Sequence, residues 1–223
     1  SLLAASTVGS DLPLQVTELR EFPASTDPEK IGDDIASWYD VKKGARSFIK
    51  GHCSGYPSSR FVRRHTLDQP AKAKDPAFFT DLLNNQFRID PDKNTVAIIN
   101  ATDGTLFDTT KNLQNQKELL ICGGLVDEWK EIQSRLLGWN IFPESIQLGQ
   151  LAVVAGLMDY ARWANLTMPT MLLEITPESS NLFIFSGNQL DIARPIPHGL
   201  NGMFPMVQQE LGLKDEESAR KLF

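Results

Sequence analysis

The stretch from Met171 to Phe223 constrains this chain most, because it reads as three strands running into a helix. The runs Met171 to Ile175 (MLLEI) and Leu182 to Ser186 (LFIFS) are almost continuously apolar, the pattern of strands buried on both faces. Gly187-Asn188 closes a tight hairpin, since both residue types tolerate positive φ. The third strand runs from Gln189 to Pro197, with Leu190, Ile192 and Arg194 on one face. After a loop from His198 to Gly202, the residues Met203, Phe204, Val207 and Leu211 fall on one helical face.

Composition narrows the function classes. The chain has 223 residues, 41% of them hydrophobic, which suffices for a full core and more than one subdomain. Its net charge of −6 argues against a general nucleic-acid role, which leaves a basic footprint. Cys53 and Cys122 belong to no Cys-x-x-Cys pair or Cys/His cluster, and so predict a reduced, cytosolic setting. No apolar run approaches the roughly 20 residues of a membrane span. The longest, Leu148 to Met158, is broken by Gln150 and Gly156. Ser1-Leu2-Leu3 lacks the charged lead of a signal peptide. The expectation is a soluble protein that does not insert into a membrane.

Further elements follow from periodicity. Leu2 to Thr7 and Leu14 to Phe22 read as a β-hairpin, with Leu14, Val16 and Leu19 buried. Asp27-Pro28 opens a helix toward Tyr39 that aligns Ile31, Ile35 and Trp38. Strands are predicted at Ser47 to Cys53, Ser59 to Leu67, Thr95 to Ala101 and Lys117 to Cys122. Helices are predicted at Pro76 to Phe87, aligning Phe79, Leu82, Leu83 and Phe87, and at Leu125 to Leu137, aligning Val126, Trp129, Ile132 and Leu136.

The wording of the C-terminal part, LLEITPESSNLFIFSGNQLDIARPIPHGLNGM followed by ELGLKDEESARKL, resembles the PilM family of type IV pilus assembly. That family carries a strand ending in Asp-x-Gly, then x-x-Thr-Asn-Leu, Arg-x-Ile-x-x-Gly-Gly, and a Leu-Gly-x-x-x-x-x-Ala close. The stretch KELLICGGLVDEWKEIQSRLLGWNIFPESIQLGQLAVVAGL is similar to the family's return from its inserted module. The resemblance implies an α/β, actin-like (ribonuclease-H-like) fold, partial, with an inserted SHS2-type 1C subdomain. It implies the first part of subdomain 1A at 1–45, lacking its first strand and phosphate loop, then 1C at 46–138. A return to 1A follows at 139–168, and the start of 2A at 169–223. On this reading the chain is an internal piece, and the sheet edge where strand one belongs would support a homo-oligomer.

At the nucleotide positions the sequence departs from the family. Where the family has a metal-facing Asp and a phosphate-approaching Gly, this chain has Glu174, Thr176 and Pro177. Glu displaces the carboxylate by a methylene, Thr adds a Cβ, and Pro deletes a donor N–H. Ser179 and Ser180 keep hydroxyls, and Gly199 survives from the Gly-Gly pair with Leu200 as its partner. Glu174, Thr176, Ser179, Ser180 and Gly199 are therefore a vestigial nucleotide site, although Glu174 also reads as a plain polar strand end.

Other candidates are weaker. His52 and Cys53 are strand neighbours pointing to opposite faces, which makes Cys53 structural. Asp90, Asp92 and Asp103 sit in turn sequences. The sequons at Asn100 and Asn165 are chance matches. Arg60, Arg63, Arg64 and His65 form the one concentrated basic patch, with Arg60 and Arg64 on one side of a strand. It reads either as a solvated edge that discourages strand pairing or as a docking surface. By the resemblance, Phe61, Val62, Arg63 and Arg64 would line a groove taking the tail of a PilN-like inner-membrane protein.

The leading expectation is a cytoplasmic scaffold of a pilus or secretion platform, peripheral to the inner membrane and not an enzyme. It has no cofactor of its own, ATP and Mg being reserved for the complete protein. One rival is an actin-like nucleotide-binding protein or slow ATPase in its complete form. Another is a GspL-like cytoplasmic domain of type II secretion.

Overall fold

The computed structural model describes residues 2–6, 15–23, 26–38, 49–187 and 189–222. In chain order the strands are β1 Leu2–Ser6, β2 Gln15–Arg20, β3 Ile49–Gly55, β4 Phe61–Thr66 and β5 Asn94–Asn100, then β6 Glu118–Leu125, β7 Ile141–Leu148, β8 Thr170–Ile175, β9 Ser180–Ser186 and β10 Gln189–Ile196. The helices are α1 Pro28–Trp38, α2 Pro76–Asp81, α3 Val126–Gly138, α4 Gly149–Trp163, α5 Leu200–Leu211 and α6 Glu216–Arg220. Two compact units result, one of residues 1–58 with 125–165, the other of 59–124 with 166–223.

In the first unit β1 and β2 pair antiparallel, as the hairpin reading expects. Leu14 lies outside the described residues. Leu19 is 53% exposed rather than buried, because a two-stranded ribbon leaves that side chain uncovered. The Asp27 carboxylate accepts from the Glu29 amide at 3.0 Å, and Pro28 opens α1 with Ile35 buried. Trp139 holds that first turn: its indole N–H donates to the Pro28 carbonyl at 2.9 Å, and its ring packs beside Gly32. β3 and β7 pair in parallel, with α3 packed on β7. Val126, Trp129, Ile132 and Leu136 are half-buried while most of their helix neighbours are exposed, so the expected face forms. Gly55 and Gly149 allow close packing of the Trp129 and Tyr56 rings; a Cβ on Gly149 would lie 2.1 Å from Tyr56.

The second unit contains two three-stranded sheets, ordered β4-β6-β5 and β10-β9-β8. On the first, Phe61 and Ile121 pack with Leu82, Leu83 and Ile89, and Phe78, Phe79 and Phe87 close the cluster. Each such side chain contributes about 1.5–3 kcal/mol when removed from water. The helix expected over 76–87 is α2 followed by a π-helical turn, Leu82–Phe87, ended by Arg88 at φ 56°.

In the second sheet the structure corrects three readings. β8 is not buried on both faces: Met171 is 66% exposed, and Leu173 and Ile175 are exposed with it. Their neighbours on that face, Ile184 and Leu182 of β9, are only half-buried, while Phe183 and Phe185 on the opposite face are each 1% exposed. Register therefore imposes an alternation that the apolar run conceals. Leu190 and Ile192 do not share a face, because the register shifts between them at Asp191. This β-bulge buries Leu190 and exposes Ile192. Finally, α5 begins at Leu200, inside the expected loop, and turns Phe204 inward while Met203 and Leu211 are exposed.

Candidate functional site

Alternation along β8 sends Glu174 to the same face as Leu172, and register pairs it with Asn181 of β9. One Glu174 carboxylate oxygen accepts from Asn181 Nδ2 at 2.6 Å, and the other meets the Arg60 guanidinium at 3.4 Å. The ion pair is largely shielded, with the Arg60 side chain 10% and the Glu174 side chain 17% exposed.

β8 then turns back on itself. The Thr176 amide and hydroxyl both donate to the Ser179 carbonyl, at 2.9 and 2.7 Å, and the Ser179 amide donates to Thr176 Oγ1. The turn's outward-facing groups are carbonyls. Thr176 O accepts from the Leu200 amide at 3.0 Å, and Pro177 O accepts from the Asn201 amide at 2.9 Å. The Gly202 amide donates to the Gly199 carbonyl, so the first three N–H groups of α5 are all used within the chain. The Ser180 hydroxyl, itself buried, donates to the His198 carbonyl at 2.8 Å. The five vestigial-site residues thus lie in one corner with His198, and the amides of Thr176 and Ser179 at that corner have carbonyl or hydroxyl partners in the chain.

In the basic patch the structure overturns the solvated-edge reading. Phe61 and Val62 are buried, so their side chains belong to the core in this structure. Arg63 Nη1 donates to the Val62 carbonyl at 3.0 Å, and burial lowers its guanidinium from the ordinary value. Arg64 Nη2 pairs with Glu118 at 2.9 Å, and its Nη1 donates to the Asp191 carbonyl at the β10 bulge. Arg60 and Arg64 are therefore internal ties, not solvated edge charges. His65 sits edge-on to the Phe87 ring, and burial lowers its pKa, with Asp68 and Glu118 opposing.

The remaining candidates have ordinary roles. Cys53 is half-buried and its thiol is pushed up by burial, the reverse of an activated nucleophile. Its neighbour His52 hydrogen-bonds Ser145 Oγ at 2.8 Å across the β3–β7 pair. Asp90 and Asp103 close Asx turns on the Asp92 and Thr105 amides. Asn100 is buried against Thr105 and Gln116.

No family model matches the chain, and no curated protein sequence matches it. Among solved structures, the PilM-PilN type IV pilus biogenesis complex contains a chain that aligns with TM-score 0.62 at 13% identity. The alignment covers 99% of this chain and 64% of that one. The chain has a PilM-like, actin-like fold. A Bacteroides thetaiotaomicron protein of actin-like ATPase fold and unknown function aligns at 10% identity and TM-score 0.39, over 94% of this chain and 77% of its own. This chain thus spans a little under two thirds of the PilM-complex chain's length. The corner at Thr176 to Gly202 and strand β4 are joined by the Arg60–Glu174 ion pair and by the Arg64 bond to the Asp191 carbonyl of β10. Sequence reading placed Arg60 in the basic patch but missed its pairing with Glu174, and it missed Asn181 and Asp191 altogether. Arg60 and Glu174 are 114 positions apart, and no local pattern signals their pairing.

Proposed function

We propose that this chain is the core of a PilM-like scaffold on the cytoplasmic side of a type IV pilus or related secretion platform. It holds the tail of a PilN-like inner-membrane protein and does not turn over ATP. The PilM-like fold, shared with a protein solved in complex with PilN, is the observation that carries this reading.

The corner chemistry supports the second half. A phosphate cradle needs free backbone N–H groups, best at a helix N-terminus. Here Leu200, Asn201 and Gly202 spend theirs on carbonyl oxygens, and Pro177 has none. A metal facing Glu174 would have to displace the Arg60 guanidinium and the Asn181 amide. Magnesium nucleotide does not fit these residues. Among the described residues no helix is long and apolar enough to cross a membrane, in keeping with a scaffold that reaches the membrane through a partner.

The test is calorimetric titration of the complete protein, first with the PilN-like tail peptide and then with Mg-ATP. Binding of the peptide without nucleotide binding is the expected result. Steady ATP turnover with no peptide binding would reverse both halves of the proposal and favour an actin-like ATPase.

A further inference from the structure

Arg60 immediately precedes β4 and Arg64 lies within it, four residues on, both on one side of the strand. Along an extended chain that spacing separates their Cα atoms by about 13 Å. Each reaches out of the β4-β6-β5 sheet into the β10-β9-β8 sheet. Arg60 grips Glu174, two residues before the Thr176 turn. Arg64 grips the Asp191 carbonyl, where the bulge turns a backbone group aside from the ladder, while Glu118 of β6 holds the same guanidinium. The Leu190 amide adds a bond to the Ala101 carbonyl at 3.4 Å.

We propose that Arg60 and Arg64 form a two-point clamp that transmits displacement of β4 to the closed corner at Thr176–Gly202. The clamp makes the edge strand β4 and the Thr176 turn one mechanical unit. The chemistry suits transmission: two guanidinium groups tie the sheets at two separated points, Arg60 through one nitrogen and Arg64 through two, which resists rotation as well as separation. Arg63, on the other side of β4, takes no part, since its Nη1 bonds to the carbonyl of its own chain neighbour, Val62. The corner is built to respond. Its closure rests on short-range hydrogen bonds from Thr176, Leu200 and Asn201 that all originate just beyond Glu174 or at the start of α5. The inference stands whether or not the PilN reading does, because it concerns coupling within one unit.

Amide hydrogen exchange on the full-length protein tests it, comparing wild type with Arg60→Gln, Arg60→Lys, Glu174→Gln and the double change. Arg135→Gln, in an exposed i,i+4 pair on α3, is the control. The clamp predicts exchange about tenfold faster or more at Thr176, Ser179, Leu200 and Asn201 in Arg60→Gln, with an intermediate rise in Arg60→Lys and none in the control. By reciprocity, Glu174→Gln loosens β4 amides as well, and the double variant exchanges no faster than the single ones. Unchanged corner exchange would overturn the clamp. A uniform rise across all strands of both sheets would also overturn it, because the arginines would then add only global stability.

Discussion

Gly199 lies against the carbonyl oxygen of Thr176 so closely that a Cβ at 199 would sit 2.4 Å from it, with Pro177 O and Ser179 N each at 2.5 Å. The missing side chain at 199 makes room for the protein's own turn. Its φ of −122° is open to any residue, so the requirement is for space and not for backbone freedom.

Gly199→Ala therefore costs stability through steric overpacking against backbone, about 1–3 kcal/mol. Gly202→Ala, three residues on in α5 with nothing within 4 Å of the added methyl, is neutral or stabilises by about 0.5–1 kcal/mol. Urea denaturation of the two variants separates them. Equal effects would mean that the turn does not seat on Gly199.

The sheet β10-β9-β8 makes an internal comparison. Phe183→Ala, from the buried face, is expected to cost about 3–5 kcal/mol. Met171→Ala, two thirds exposed on the opposite face, stays within roughly 0.5 kcal/mol. Denaturant midpoints of both variants give the answer, and a large Met171 effect would show that its face is covered.

The two thiols differ in reactivity. Burial pushes the Cys122 thiol to about 11, and raises half-buried Cys53 as well. At pH 8 only about one Cys122 in a thousand is thiolate. Iodoacetamide followed by peptide mass mapping should find Cys53 labelled first and Cys122 protected until unfolding. Prior labelling of Cys122 would contradict its buried place within β6.

Acidification should weaken the fold in two stages. His65 has its pKa depressed below 6.5 by burial, so its contribution is full above that value. It is lost as pH falls through the folded pKa. The carboxyls of Asp103 and Asp108 are lowered by hydrogen bonds from Thr105 and Thr110, so their contribution holds above the ordinary value of 3.8 and is lost below it. Urea midpoints from about pH 7.5 to 3 follow both stages. His65→Asn should flatten the first stage, and Asp103→Asn with Asp108→Asn the second. A wild-type midpoint constant down to about pH 5 would remove the assignment to His65.

Much of the architecture was legible in the chain. Asp27-Pro28 marks a helix start because a cap and a preset φ act locally, and α1 begins at Pro28 as expected. The periodicity of Phe79, Leu82 and Leu83 reports one helical face because core packing selects residues at that spacing. Pro177 also removes a backbone donor from that turn without need of coordinates, since Pro has no N–H to give in any fold.

Tertiary structure alone decided what surrounds Glu174 and the Thr176 turn. That Arg60 would neutralise Glu174, or that Thr176 and Pro177 would cap α5 with their carbonyls, depends on contacts between segments tens to more than a hundred residues apart. A strand's own letters do not say whether both its faces are covered, so the run from Met171 to Ile175 looked buried and is exposed on one side. Local hydrogen bonding and periodicity are written along the chain, whereas burial, ion pairing and bulge placement arise only where distant segments meet.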